Sequence, residues 1–124
     1  MEYEGDILLL RRQDLIVEGD RWGIPSGRME RGETPVESMR REIREETGLE
    51  IPLNRISYFS KTYVRYPDEY DFIYHILHTR IDASPKVRID LKEHKASRLI
   101  SPQRALDLPM VRDTDSCIRL FYRI

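Results

Sequence analysis

The chain predicts a mixed α/β domain. Three observations carry this. One stretch has strong helix signals at both ends, several stretches have strand composition, and the order is strands, helix, strands, then short helices. At 124 residues the chain is long enough for one domain, residues 1–124, with its own hydrophobic core.

The elements follow in order. Residues 6–12 (DILLLRR) predict a buried strand, and Glu18-Gly19-Asp20 a turn. Trp22 to Pro25 predict a short strand leading into Ser26-Gly27. A helix follows. Thr34 suits the N-cap, Pro35 the first helical position, and Glu37 completes a T-x-x-E capping box. Gly48 supplies the stop. Val36, Met39, Ile43 and Thr47 fall at helical spacing and define its core face.

Residues 56–66 (ISYFSKTYVRY) and 70–81 (YDFIYHILHTRI) are rich in β-branched and aromatic residues. Joined by Pro67-Asp68-Glu69, they predict an antiparallel hairpin. Residues 94–100 predict another strand, Ser101-Pro102 a short helix through Leu106, and Asp113 or Thr114 the start of a last helix carrying Ile118 and Phe121.

Composition narrows the function. Charged residues make up 35% of the chain and the net charge is −1, so no basic excess points to general nucleic-acid binding or to anionic membranes. The longest apolar run, Ile7 to Leu10, is far short of the roughly 20 residues a membrane span needs. The single cysteine, Cys117, cannot form an intrachain disulfide, and the start MEYEGD is too acidic for a secretory signal. The expected address is cytoplasmic.

The informative cluster is acidic. With about 100° per residue, Glu42, Glu45 and Glu46 share one arc bordering the stripe of Met39 and Ile43. Glu42 and Glu46 have no basic residue at i±3 or i±4; only Glu45 has one, Arg41. Like charges at i,i+4 are unfavourable, as is acidic charge near a helix C-terminus. A hard divalent cation taking carboxylate oxygens would remove the conflict. Spacing alone leaves a cation site and a solvated charged face both open. The preceding loop, bracketed by Gly27 and Gly32, offers a backbone carbonyl and a further acid, Glu33.

These residues resemble the Nudix box, G-x5-E-x7-R-E-U-x-E-E-x-G-U with U aliphatic. Gly27, Glu33, Arg41-Glu42-Ile43, Glu45-Glu46 and Gly48-Leu49 fill all nine specified positions across residues 27–49. Weaker resemblance extends to "LLLRR", "WGIPSG" and "KEHKASRLISP". The resemblance implies an α/β/α sandwich around a mixed central sheet. It also implies hydrolysis of a nucleoside diphosphate linked to another group, with Mg²⁺ or Mn²⁺ as cofactor and a small nucleotide as partner. On this sequence it implies Gly27, Glu42, Glu45 and Glu46 as metal ligands and Arg41 as the residue that orients the acids. Glu33 becomes a stabiliser of the loop, and Glu45, or Glu93 outside the box, the general base. A catalytically silent nucleotide sensor is the alternative. An isomerase acting on a diphosphate-bearing lipid precursor is a weaker one, and Cys117, late in the chain with no motif around it, gives it no help.

Three departures accompany the resemblance. Ser26 stands where many relatives have glycine, and Leu99 where tryptophan is frequent. Only five residues precede Asp6, fewer than the full strand usual there, so the expectation is either a chain lacking its usual first strand or a sheet completed by a partner, and an unpaired edge would favour a homodimer.

Other residues have competing readings. Tyr58, Tyr63, Tyr66, Tyr70 and Tyr74 suit stacking on a nucleobase, but ordinary sheet packing is the commoner use. His75 and His78 fall on opposite faces of a strand, which argues against a shared metal. Arg11, Arg12 and Arg28 suit phosphate, with surface charge as the simpler reading. Cys117 reads as a buried structural thiol.

Overall fold

The computed structural model describes residues 1–124. The strands are β1 (Glu2–Tyr3), β2 (Asp6–Arg12), β3 (Trp22–Gly23), β4 (Ile56–Arg65), β5 (Asp71–Thr79) and β6 (His94–Ile100). The helices are α1 (Pro35–Thr47), α2 (Pro102–Ala105) and α3 (Thr114–Tyr122), with a 3₁₀ turn at Leu53–Arg55.

β2 is the axis of the first sheet. Ile7 pairs with both Glu2 and Ile100, and Arg11 with both Trp22 and Ala96. β1 and β3 therefore share one edge of β2, and β6 runs antiparallel along the other. The β2–β6 register shifts between Arg11 and Arg12, a bulge at the end nearest the acids. β4 and β5 form a long antiparallel hairpin. A parallel bridge, Glu2 to Arg80, joins the two sheets and gives the mixed topology.

β2 is buried on both faces, as its unbroken apolar run requires: Leu8, Leu9 and Leu10 are almost wholly buried. Ile7 and Leu9 pack with Trp22, Ile100, Ala105 and Ile118, which places α2 and α3 on one side. Ile43 of α1 packs with Ile51 and Ile56 in a separate cluster. Helices thus cover the strands in an α/β/α arrangement.

α1 follows from its ends. Thr34 Oγ1 accepts from the Glu37 N–H at 3.2 Å, and Glu37 Oε1 accepts from the Thr34 N–H at 3.0 Å. Gly48 takes the left-handed conformation at φ 75° and donates to the Arg44 carbonyl. Between these ends Ile43 and Thr47 are buried as expected, but so are Ser38 and Glu46.

Some elements differ from expectation. The residues ahead of Asp6 do form a strand, of two residues, turning through Glu4 and Gly5 at φ 49° and 85°. The strand expected over 22–25 stops at Gly23, and the one expected to reach Ile81 stops at Thr79. Asp113 precedes α3 but makes no capping bond; its carboxylate accepts the Tyr66 hydroxyl instead. Cys117 is buried, and burial pushes its thiol up to about 11.

Candidate functional site

The acids are held by what comes before α1 as much as by α1 itself. Gly27 passes so close to Glu42 that a Cβ there would lie 2.0–2.4 Å from its carboxylate. The Ser26 N–H donates to Glu46 Oε1 at 2.9 Å. The loop therefore presses its backbone against two of the three glutamates. The Glu42 and Glu46 side chains are only 13% and 6% exposed, while Glu45 turns outward.

Arg41 organises the loop. Its Nε donates to Glu33 Oε2 at 2.8 Å and its Nη2 to Glu33 Oε1 at 3.0 Å, a bidentate fork. Nη1 reaches Glu42 Oε1 at 2.8 Å and lies 3.3 Å from Glu45, and Nη2 also donates to the Arg28 carbonyl at 2.9 Å. Glu33 in turn accepts the Glu30 N–H at 2.7 Å. Glu42 thus has a basic partner that counting i±3 and i±4 neighbours misses, because the guanidinium reaches sideways to the next residue.

Glu46 has no such partner. Burial pushes its carboxyl up to about 8 despite the Ser26 N–H, and the nearby Glu42 and Glu93 push the same way. Burial also raises Glu42, against the pull of Arg41. These two groups are costly as neighbouring anions and would be satisfied by a bound cation, so the donor set fits a divalent ion.

Residues from the opposite side complete the site. Glu93 lies just before β6 and His94 opens it. One ligand atom each from Glu46, Glu93 and His94 fall within 4.8 Å of one another. The fold thus brings Glu93 to the helix acids. His94 Nε2 stands 3.7 Å from Glu46 Oε2. His94 Nδ1 is buried without a partner, as is Arg12 Nε; an unpaired buried donor costs about 1–3 kcal/mol. Burial lowers the His94 imidazole below its ordinary value. Sequence reasoning missed His94, whose only signal is its place beside Glu93.

A cavity of about 720 Å³ opens beside the acids, lined mainly by apolar side chains. Glu42, Ser26 and Gly27 stand on its wall, with Met39 of α1, Phe72 and Tyr74 of β5, and Phe121 of α3. Of the five tyrosines considered for base stacking, Tyr70 and Tyr74 line it. Tyr63 is 80% exposed, Tyr66 is tied to Asp113, and Tyr58 hydrogen-bonds His75. His78 stacks on Phe121 and meets Glu2. Arg11 pairs with Asp20, whereas the exposed Arg28 stands at the cavity wall.

The comparisons agree with this architecture. The NUDIX domain matches residues 1–121, and the chain belongs to that family. A MutT protein from Methanosarcina mazei Go1 superposes at a TM-score of 0.79 with 22% identity, covering 98% of this chain and 87% of that one. The NUDIX domain of Shewanella oneidensis NrtR, complexed with ADP ribose, superposes at 0.78 with 16% identity, covering 95% of this chain and 76% of that one. In sequence, 49 residues are 49% identical to an RNA pyrophosphohydrolase from Xanthomonas oryzae pv. oryzae, 40% of this chain and 22% of that protein. The chain spans about a fifth or less of the length of the curated relatives it matches.

Proposed function

We propose that the protein is a divalent-metal-dependent hydrolase. It cleaves the pyrophosphate bond of a nucleoside diphosphate linked to another group: a nucleoside triphosphate, a sugar nucleotide or a dinucleoside polyphosphate. The observation that carries this is a pair of carboxylates pressed against the Ser26–Gly27 loop, the buried Glu46 and the half-buried Glu42, with Glu42 on the wall of a cavity large enough for a nucleoside. The Xanthomonas relative is named for pyrophosphate hydrolysis. The Shewanella domain holds ADP ribose, itself a nucleoside diphosphate joined to a sugar.

In this reading Gly27 through its carbonyl, with Glu42, Glu45 and Glu46, holds the metal. A divalent ion there supplies charge neutralisation at the diphosphate and acidifies water. Arg41 keeps Glu42 and Glu45 in place and fixes the loop through Glu33 and the Arg28 carbonyl. Glu45 takes a proton from attacking water and releases it to bulk, a role supported by its exposure to solvent beside Arg41. Glu93 is the second candidate for that role. Arg28 is free to meet phosphate at the cavity wall, and Phe72 and Tyr74 offer aromatic faces to a base. No helix is long and apolar enough to cross a membrane. A cytoplasmic address and a homodimer complete the same reading.

The test is substitution of the acids. Folded Glu45→Gln and Glu46→Gln proteins should lose metal-dependent hydrolysis of such substrates. Wild-type rates in both would refute the proposal. Tight binding of ADP-ribose by metal-loaded wild type with no turnover would favour a sensor, a reading weakened by the intact set of box carboxylates.

A further inference from the structure

The box places no nitrogen ligand near the acids, but the fold does. His94 is carried in by β6, from the opposite end of the chain to the Gly27 loop. Its side chain is 9% exposed. Nδ1 has no partner, and Nε2 stands 3.7 Å from Glu46 Oε2, beyond hydrogen-bond reach. A buried histidine kept for structure normally spends at least one ring nitrogen on a hydrogen bond. Here neither ring nitrogen makes a hydrogen bond to protein, so no partner holds Nε2 away from an ion beside Glu46.

What that nitrogen faces is two carboxylates. The candidate ligand atoms of Glu46, Glu93 and His94 lie within 4.8 Å of one another. Bonds of roughly 2.0–2.2 Å to a small divalent ion place opposite ligands roughly 4–4.4 Å apart, so small side-chain adjustments close the set.

We propose that His94 is a nitrogen ligand of the metal held by Glu46 and Glu93, and that the site therefore takes Mn²⁺ or a similar transition ion in preference to Mg²⁺. Mg²⁺ is a hard ion that keeps oxygen ligands and much of its water. Imidazole is a better donor to first-row transition ions. The inference deepens the metal-dependent reading of the same site and rests on it.

The test uses the purified full chain without nucleotide. Mn²⁺ is titrated by electron paramagnetic resonance, pulsed spectra are searched for ¹⁴N coupling, and Mg²⁺ is added as competitor. His94→Gln and Glu93→Gln are measured alongside, with thermal melts to confirm folding. Wild type should show ¹⁴N coupling and hold Mn²⁺ more tightly than Mg²⁺. His94→Gln should lose the coupling and weaken Mn²⁺ by about tenfold or more, with a smaller effect on Mg²⁺. Glu93 is exposed, so Glu93→Gln should fold, bind Mn²⁺ more weakly and keep the nitrogen signal. Bound Mn²⁺ without ¹⁴N coupling in wild type overturns the inference and leaves the hydrolase reading standing. If His94→Gln fails to fold, the wild-type spectrum decides alone. Absence of Mn²⁺ binding also overturns it; turnover that then survives chelation overturns the hydrolase reading too, and turnover lost to chelation spares it.

Discussion

Replacing Gly27 with alanine adds one methyl group, and the site should not tolerate it. The new Cβ would fall 2.0–2.4 Å from the Glu42 carboxylate. Ordinary contact is about 3.5 Å or more, so the carboxylate must retreat by about 1.5 Å. That retreat stretches the 2.8 Å bond from Arg41 Nη1. Losing this charge-assisted bond should cost about 1.5 kcal/mol, which lowers Tm by about 5 °C in a domain of this size. The fold should survive, because the displaced atoms are the end of a flexible side chain. Function should suffer more, since a misplacement of about 1 Å in a catalytic constellation can cost about 100-fold in rate. The assay pairs a thermal melt with kcat/KM for metal-dependent hydrolysis. Wild-type kcat/KM with unchanged Tm would mean that Gly27 does not set the position of Glu42, and the account of how the loop shapes the site would fall.

Three further outcomes are expected. Arg41→Lys loses the two-point hold on Glu33 and the reach to the Arg28 carbonyl, so turnover should fall by about tenfold or more, with added Mn²⁺ restoring part of it; an unchanged rate at every metal concentration would contradict this. Glu46→Gln removes a buried carboxylate that lacks a basic partner, so it should raise Tm of the chelator-treated protein while ending turnover; a lower Tm would show that the acid stabilises the fold. The third outcome concerns Glu2. Burial works to raise its carboxyl, but hydrogen bonds from Tyr122, His78 and Arg80 together outweigh it and hold the group below its ordinary 4.5. A depressed acid contributes stability above its unfolded value and loses it as pH falls through the folded one. Glu2→Gln should therefore cost about 2 kcal/mol at neutral pH, and the difference should vanish as pH drops below 4.5; a constant gap down to strongly acidic pH would refute the role given to Glu2.

What the sequence reveals divides along the range of the interactions. α1 is legible because its caps are local: Thr34, Pro35, Glu37 and Gly48 act within four residues of themselves. The β4–β5 hairpin is legible because composition and turn signals agree. β1 is not, because two residues carry no periodicity; its place is set by pairing with β2 and by the contacts of Glu2 with residues 76 to 120 positions away.

The site divides the same way. Spacing puts Glu42, Glu45 and Glu46 on one arc, but their role as ligands, and any role for Glu93, come only through the family resemblance. That Glu46 is buried and Glu45 exposed depends on where the Ser26 loop and β6 come to rest, which helical spacing cannot supply. The Arg41–Glu42 contact escapes the i±3 and i±4 rule because a long guanidinium can reach its own neighbour. His94 becomes visible only when β6 pairs with β2 and lays its first residue against α1.

The central claim is that this constellation hydrolyses a diphosphate with the help of a divalent ion. The most direct measurement incubates the purified protein with nucleoside triphosphates, sugar nucleotides and dinucleoside polyphosphates, under Mg²⁺, Mn²⁺ and chelator. Release of a nucleoside monophosphate that requires the metal and stops with chelator is the predicted result. Release that continues undiminished in chelator, or none from any substrate by protein shown to have bound metal, would contradict the account.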